Sequence, residues 1–170
     1  MRLHWSFATT ADAGAIATLR NAASDALTAK HGFGWWSGHG SAKGVLPDLR
    51  DAKILLGTHR GLLLATLRLT TRKPWAIDRA HFTPVQRPLF LTSLAVDPAH
   101  QRRGLGRQAM AEARRLAEAW PADALLLDAF DHPGAGAGAF YAKCGYREVA
   151  RVTYRKARLI YYELPLSRTE

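Results

Sequence analysis

The densest chemistry in this sequence lies in one short turn, Gln101-Arg102-Arg103-Gly104-Leu105-Gly106-Arg107. An apolar, strand-like run ending at Val96 precedes it, and a helical repeat starts at about Gly104. The first turn of a helix carries backbone N–H groups without internal partners and a positive partial charge. Flanked by Arg102, Arg103 and Arg107, such a turn suits an anion, phosphate above all. Gly104 and Gly106 lack side chains, so phosphates can approach the backbone closely. Further along stand the phenol of Tyr141 and the lone thiol of Cys144, which precedes Gly145 as a small buried residue would. Asp128, Asp131 and His132 lie near one another, but no further ligands stand at a metal-site spacing, so no metal is expected.

The elements around the turn follow from periodicity. After it, Leu105, Ala109, Ala113, Leu116 and Trp120 recur every three or four residues until Pro121 ends the pattern. Upstream, Leu3 to Thr9 alternates weakly as a first strand. Thr10 offers an N-cap for a helix from about Ala11 to Lys30, which Gly32 stops. The stretch GFGWWSGHGSAKG has loop composition, yet it carries Trp35 and Trp36, which are costly to expose. Pro47 to Lys53 reads as a short helix. Lys53 to Thr58 and Leu62 to Thr70 read as strands turned by His59, Arg60 and Gly61. Thr71 to Pro88 is a long loop with three prolines, of a length that is commonly functional. Ala124 to Phe130 is an apolar strand of the kind buried on both faces. The glycines of HPGAGAG lead to a short helix, Ala139 to Cys144, closed by Gly145. Two strands follow, Tyr146 to Tyr154 and Leu159 to Leu164, joined by the basic turn RKAR.

The 170 residues suffice for one domain with a real core, and 48% hydrophobic with 22% charged residues is ordinary globular composition. The net charge of +10 attracts polyanions: nucleic acid, an anionic membrane surface or a phosphorylated cofactor. One cysteine excludes an intrachain disulfide. No run approaches the roughly 18 apolar residues of a membrane span, and the first ten residues lack an apolar signal core, so a cytoplasmic location is expected. The basic residues are scattered without an aromatic–basic repeat, which argues against nucleic acid as the partner despite five tryptophans.

Two glycine-loop readings compete. Gly104-x-Gly106-x-x-Ala109, with Asp128 ending the next strand, formally fits a dinucleotide fingerprint. Seven residues, Asp97 to Arg103, separate the strand from the first glycine, and the chain supplies too few parallel strands for that fold. The other reading uses the whole stretch. Leu94-Ala95-Val96-Asp97-Pro98 followed by Gln101-x-x-Gly104-x-Gly106 resembles the pyrophosphate loop of the GCN5-related N-acetyltransferase (GNAT) superfamily. Ala139-Phe140-Tyr141-Ala142-Lys143-Cys144-Gly145-Tyr146 resembles a second segment of that family, in the expected order.

The resemblance implies a single α/β domain, residues 1–170, with a mixed sheet in the order β-α-(α)-β-β-β-α-β-α-β-β. It implies acetyl transfer from acetyl-CoA to a primary amine by direct attack in a ternary complex. Gln101, Arg102, Arg103, Gly104, Leu105, Gly106 and Arg107 would hold the pyrophosphate, Leu94, Ala95 and Val96 the pantetheine arm, and Asp131 and Tyr141 would also meet the cofactor. Tyr141 would protonate the leaving thiolate; without the resemblance it reads as a packed tyrosine. Many relatives carry a glutamate base on the strand before the glycine loop, but Phe90 to Val96 holds no carboxylate. A water relay, or Asp78, His81, Asp131 or His132, would have to serve. An acyl-CoA binder without catalysis is the alternative this departure keeps open, beside a basic nucleic-acid-binding module. The family shapes its acceptor site from the first helix, the loop after it and the loop before the central strand. Here that means Trp35, Trp36, Trp75, His81 and Phe82, walls that suit a small amine or a peptide terminus, with the small molecule preferred. A homodimer is compatible with the sequence.

Overall fold

The computed structural model describes residues 1–167. Its chain order is β1 (His4–Phe7), α1 (Ala13–His31), α2 (Ala42–Asp51), β2 (Lys53–His59), β3 (Leu62–Thr70), β4 (Pro88–Val96), α3 (Leu105–Ala119), β5 (Ala124–Phe130), α4 (Gly138–Lys143), β6 (Arg147–Tyr154) and β7 (Ala157–Pro165). This is the expected order of elements. The strands form one sheet, β1-β2-β3-β4-β5-β7-β6, antiparallel throughout except for the parallel pair β4–β5. The last strand, β7, lies inside the sheet with β6 outside it.

Several boundaries differ from the sequence reading, each for a local reason. Thr9, not Thr10, opens the first helical segment: the Asp12 carboxylate accepts from the Thr9 N–H at 2.7 Å and its hydroxyl at 3.0 Å. Helix α2 begins at Ala42 rather than Pro47, because the Ser41 side chain accepts from the Gly44 N–H and caps it. Gly44 and Pro47 disguise that first turn as loop. The hairpin between β6 and β7 is two residues, Arg155 and Lys156, both at positive φ, so Ala157 and Arg158 belong to the strand. In α3 the buried stripe is Leu105, Ala109, Met110, Ala113 and Ala117; Trp120 lies past the last turn and is exposed.

Strand alternation sorts the core into two layers. On one face, α3 and α4 cover Leu55, Leu67, Leu69, Leu89, Leu91, Leu125 and Leu127. On the other, α1 and α2 cover Ile54 and Leu56 through Ile16, Ala17 and Val45. The rest of that second face is covered by the segment between β3 and β4. Its Ile77 and Phe82 pack on Phe90, Leu126, Leu159 and Tyr161, each anchor worth about 2 kcal/mol of apolar burial. Tyr161 donates its hydroxyl to the Ala76 carbonyl and accepts from the Asp78 N–H. Buried Glu163 accepts from the Thr83 N–H at 2.9 Å and hydroxyl at 2.7 Å, and from Arg147 Nε at 2.7 Å. The long loop is therefore fastened along its length.

Candidate active site

The parallel ladder between β4 and β5 is short. It pairs Pro88 with Ala124, Leu89 with Leu125 and Phe90 with Leu126, and ends there. Strand β4 continues to Val96 and β5 to Phe130, so the two diverge and the sheet forks. Just beyond the last pair, β4 carries a bulge: Ser93 and Leu94 together oppose Leu67 of β3, and Ser93 has φ 54°. The extra residue resets the alternation. Leu94 thereby joins the core under α3, and Val96 packs near Leu105. Backbone N–H and C=O groups on this stretch of β4 face a gap where a neighbouring strand would otherwise lie.

At the open end of the fork the chain turns into α3. Asp97 accepts from the Ala99 N–H at 2.8 Å, and Gln101 Nε2 reaches the Val96 carbonyl at 3.3 Å, folding the turn onto the strand end. Arg102 (φ 61°) and the N-cap Gly104 (φ 79°, ψ 7°) take left-handed backbone. No atom lies within 4 Å of where a Gly104 side chain would start, so the space before the helix is open. Gly106 has another role than the sequence suggests: a Cβ there would sit 3.1 Å from the Phe140 ring, so its missing side chain admits α4. Arg102, Arg103 and Arg107 are exposed at this mouth, and the first helical bond runs from Gln108 N–H to Gly104 C=O at 3.1 Å. The amides of Leu105, Gly106 and Arg107 precede that bond and point outward.

Tyr141 is buried on α4, its ring 5.6 Å from Tyr162, 5.3 Å from Phe140 and 6.1 Å from Tyr146. Burial above all, then the nearby Asp128, Cys144 and Tyr162, push its phenol far above the ordinary tyrosine value. It stays protonated at neutral pH and is a donor. Burial also raises the Cys144 thiol, against the pull of Arg107, which favours the inert form. Asp128 is a base candidate that sequence reasoning missed. It stands two positions past the last β4–β5 pair, and burial holds its carboxyl above the usual carboxylate range. Its signal was present: one carboxylate closing an otherwise apolar strand, Ala124-Leu125-Leu126-Leu127-Asp128.

The other base candidates are engaged elsewhere. Asp131 pairs with Arg158 at 2.9 Å and Arg151 at 3.4 Å. Asp78 caps a short turn through the Ala80 N–H at 3.0 Å. His132 Nδ1 accepts from the Gly134 and Ala135 N–H groups at 3.1 and 2.8 Å, and His81 lies edge-on to Tyr161. Nor do the five aromatic wall residues converge. Trp36 packs edge-on against Phe130 and His132 at the C-terminal end of β5, with Trp35 60% exposed beside it. Trp75, 79% exposed, and His81 border a separate depression with Asp78, Tyr154 and Tyr161. Phe82 is core, stacked on Tyr161 at 5.1 Å, because its neighbours Ile77 and Phe90 exclude water there.

The family model described as acetyltransferase (GNAT) family matches residues 48–146, from α2 to the residue before β6. No curated protein matches the sequence. Among solved structures, yncA of Salmonella typhimurium, determined with its cofactor acetyl-CoA, is 17% identical with a TM-score of 0.71, covering 98% of this chain and 95% of its own. The ribosomal-protein-S18-alanine N-acetyltransferase of Escherichia coli is 22% identical with a TM-score of 0.73, covering 99% and 96%. The ribosomal-protein-alanine N-acetyltransferase of Brucella melitensis is 18% identical with a TM-score of 0.74, covering 96% and 100%.

Proposed function

The chain belongs to the acetyltransferase (GNAT) family and is an acyltransferase, and from that premise we propose that residues 1–170 form one domain that moves an acetyl group from acetyl-CoA to the primary amine of a small molecule. The observation that carries this reading is the fork between β4 and β5, opening beside the amide-lined start of α3. A diphosphate fits the open space before Gly104, where helix amides and three arginines supply positive potential. An extended, amide-rich arm fits the free edge of β4 past Phe90.

Bound there, acetyl-CoA supplies an acyl carbon activated by a thiol leaving group. Asp128 takes the proton of the incoming amine, whose nitrogen bonds the acyl carbon as the carbon–sulfur bond breaks. Tyr141 gives its phenolic proton to the departing sulfur. Backbone N–H groups of β4 beyond the bulge polarise the carbonyl. The Asp128 charge helps raise the Tyr141 phenol, yet by alternation the two project from opposite faces of the sheet. The amine then arrives from the face of α1 and the thiol leaves towards α4. Among the described residues no helix is long and apolar enough to cross a membrane, and we place the protein in the cytoplasm.

The test is calorimetry with CoA at low ionic strength, followed by thiol release from acetyl-CoA across amine classes. Binding with amine-dependent release is expected. No heat and no thermal protection by CoA would sink the reading.

A further inference from the structure

Two guanidinium groups share one carboxylate on the face of the sheet that carries α1 and α2. Arg20 of α1 and Arg68 of β3 both pair with Asp48 of α2, at 3.4 and 3.3 Å, with side chains only 20% and 15% exposed. One charge does not balance two. Arg20 Nε and Nη2 are sealed from solvent without a hydrogen-bond partner, and the buried Arg68 Nε has only its ion-pair contact with Asp48. Burial, opposed by Asp48 and reinforced by Arg68, pushes the Arg20 guanidinium below its ordinary value. A largely buried surplus cation is costly unless a negative group completes it. One arginine on Asp48 would suffice to fasten α1 and α2 to the sheet; the second calls for another explanation.

Its position supplies one. Arg68 and Thr92 are cross-strand partners, and Arg68 Nη1 donates to Thr92 Oγ1 at 3.4 Å. Thr92 stands two residues past the last β4–β5 pair on one arm of the fork, and Asp128 two residues past it on the other. Phe90 and Leu126 lie in the same core cluster, so by alternation Thr92 and Asp128 share a face. The Arg68 head, drawn over β4 to Thr92, therefore lies on one arm of the fork, on the face that Asp128 shares on the other arm. The proposed proton acceptor and the surplus cation thus stand on the two arms of the fork, on one face of the sheet.

The geometry points to an acceptor of the amino-acid type: a small amine whose carboxylate, a few bonds from its nitrogen, is received by Arg68 with Arg20 behind it. This rests on the acetyl-transfer reading above and narrows its substrate class. Arg68 binds and orients; it takes no part in proton transfer.

The experiment measures thiol release with three pairs of amines: glycine and glycinamide, β-alanine and β-alaninamide, 4-aminobutyrate and its amide. Wild type, Arg68→Gln and Arg68→Lys are compared, with CoA affinity by calorimetry for each to show that the fold is intact. Taking the acid-to-amide ratio across variants cancels the different basicity of the amines. At least one acid is expected to be a substrate, with KM raised roughly tenfold or more in Arg68→Gln while its amide twin is unaffected, and partly restored in Arg68→Lys. A purely structural arginine would depress both twins alike. An unchanged ratio in Arg68→Gln, or failure of every acid while CoA still binds, overturns the carboxylate site. Loss of both CoA binding and thiol release in the wild type overturns the acetyl-transfer reading instead.

Discussion

At the scale of single residues, the proposed chemistry needs a phenol that gives up a proton and a carboxylate basic enough to take one, and burial shifts both groups upward. Tyr141 holds its proton more firmly than a free phenol because burial disfavours the phenolate. Tyr141→Phe is expected to lower kcat about a hundredfold with little change in acetyl-CoA affinity, measured by thiol release and calorimetry. Asp128 is raised for the same reason, with a consequence for stability. Its folded-state value lies above the unfolded one, so its favourable contribution is complete below the ordinary carboxylate range and is lost as pH rises through the raised value. Asp128→Asn should therefore slow turnover and remove the acid limb of its pH profile, yet raise the melting temperature at pH 7 by about a few degrees. That gain should shrink as the pH is lowered. Both residues stood in plain view in the sequence, but only Tyr141 sat in a motif that resembles the acetyltransferase family, Asp128 having counted only towards the rejected dinucleotide fingerprint. Burial turns Asp128 into a base candidate, and a lone acidic letter does not show burial.

Among the elements, α3 and the segment between β3 and β4 matter most. Gly104 begins α3 at φ 79°, where any other residue costs about 1 kcal/mol of backbone strain. Gly104→Glu adds a negative side chain to the open space before the helix and is expected to abolish CoA binding, read by calorimetry. The β3–β4 segment is held by Glu163, whose carboxyl is desolvated yet lowered overall by its bonds to Thr83 and Arg147. A lowered value gives stability that is present above the ordinary carboxylate range and lost as pH falls through the folded value. Amide protection factors around Thr83, corrected for intrinsic exchange, should fall in acid, and Glu163→Gln should cost about 2 kcal/mol in denaturant unfolding. Element order was legible because helix and strand periods differ. The start of α2 was hidden by Gly44 and Pro47, which advertise a loop while Ser41 caps a helix. The bulge at Ser93 was hidden because an inserted residue leaves composition unchanged and only shifts which side chains point inward. The pairing of Arg20 and Arg68 through Asp48 joins three elements far apart in sequence, and no local pattern announces it.

For the whole molecule, the charge of +10 is general while the phosphate grip is local. KM for acetyl-CoA is expected to rise severalfold from low to high salt, as screening weakens the pull of Arg102, Arg103 and Arg107. A salt-independent KM would assign the surplus charge to another partner. Sheet order was the least legible feature, because the placement of β7 between β5 and β6 is settled by distant pairings. That placement has a bearing on synthesis. The segment Ala157–Pro165 leaves the ribosome after β5 and β6, yet it supplies the middle rung that both of them grip. Until it emerges, the β5 side of the fork has no flank, and Tyr141 lacks the Tyr162 ring it packs against. A nascent chain stalled short of residue 157 would carry every glycine and arginine of the phosphate turn and still be inert, so a frameshift just before Ala157 should be as damaging as one within that turn.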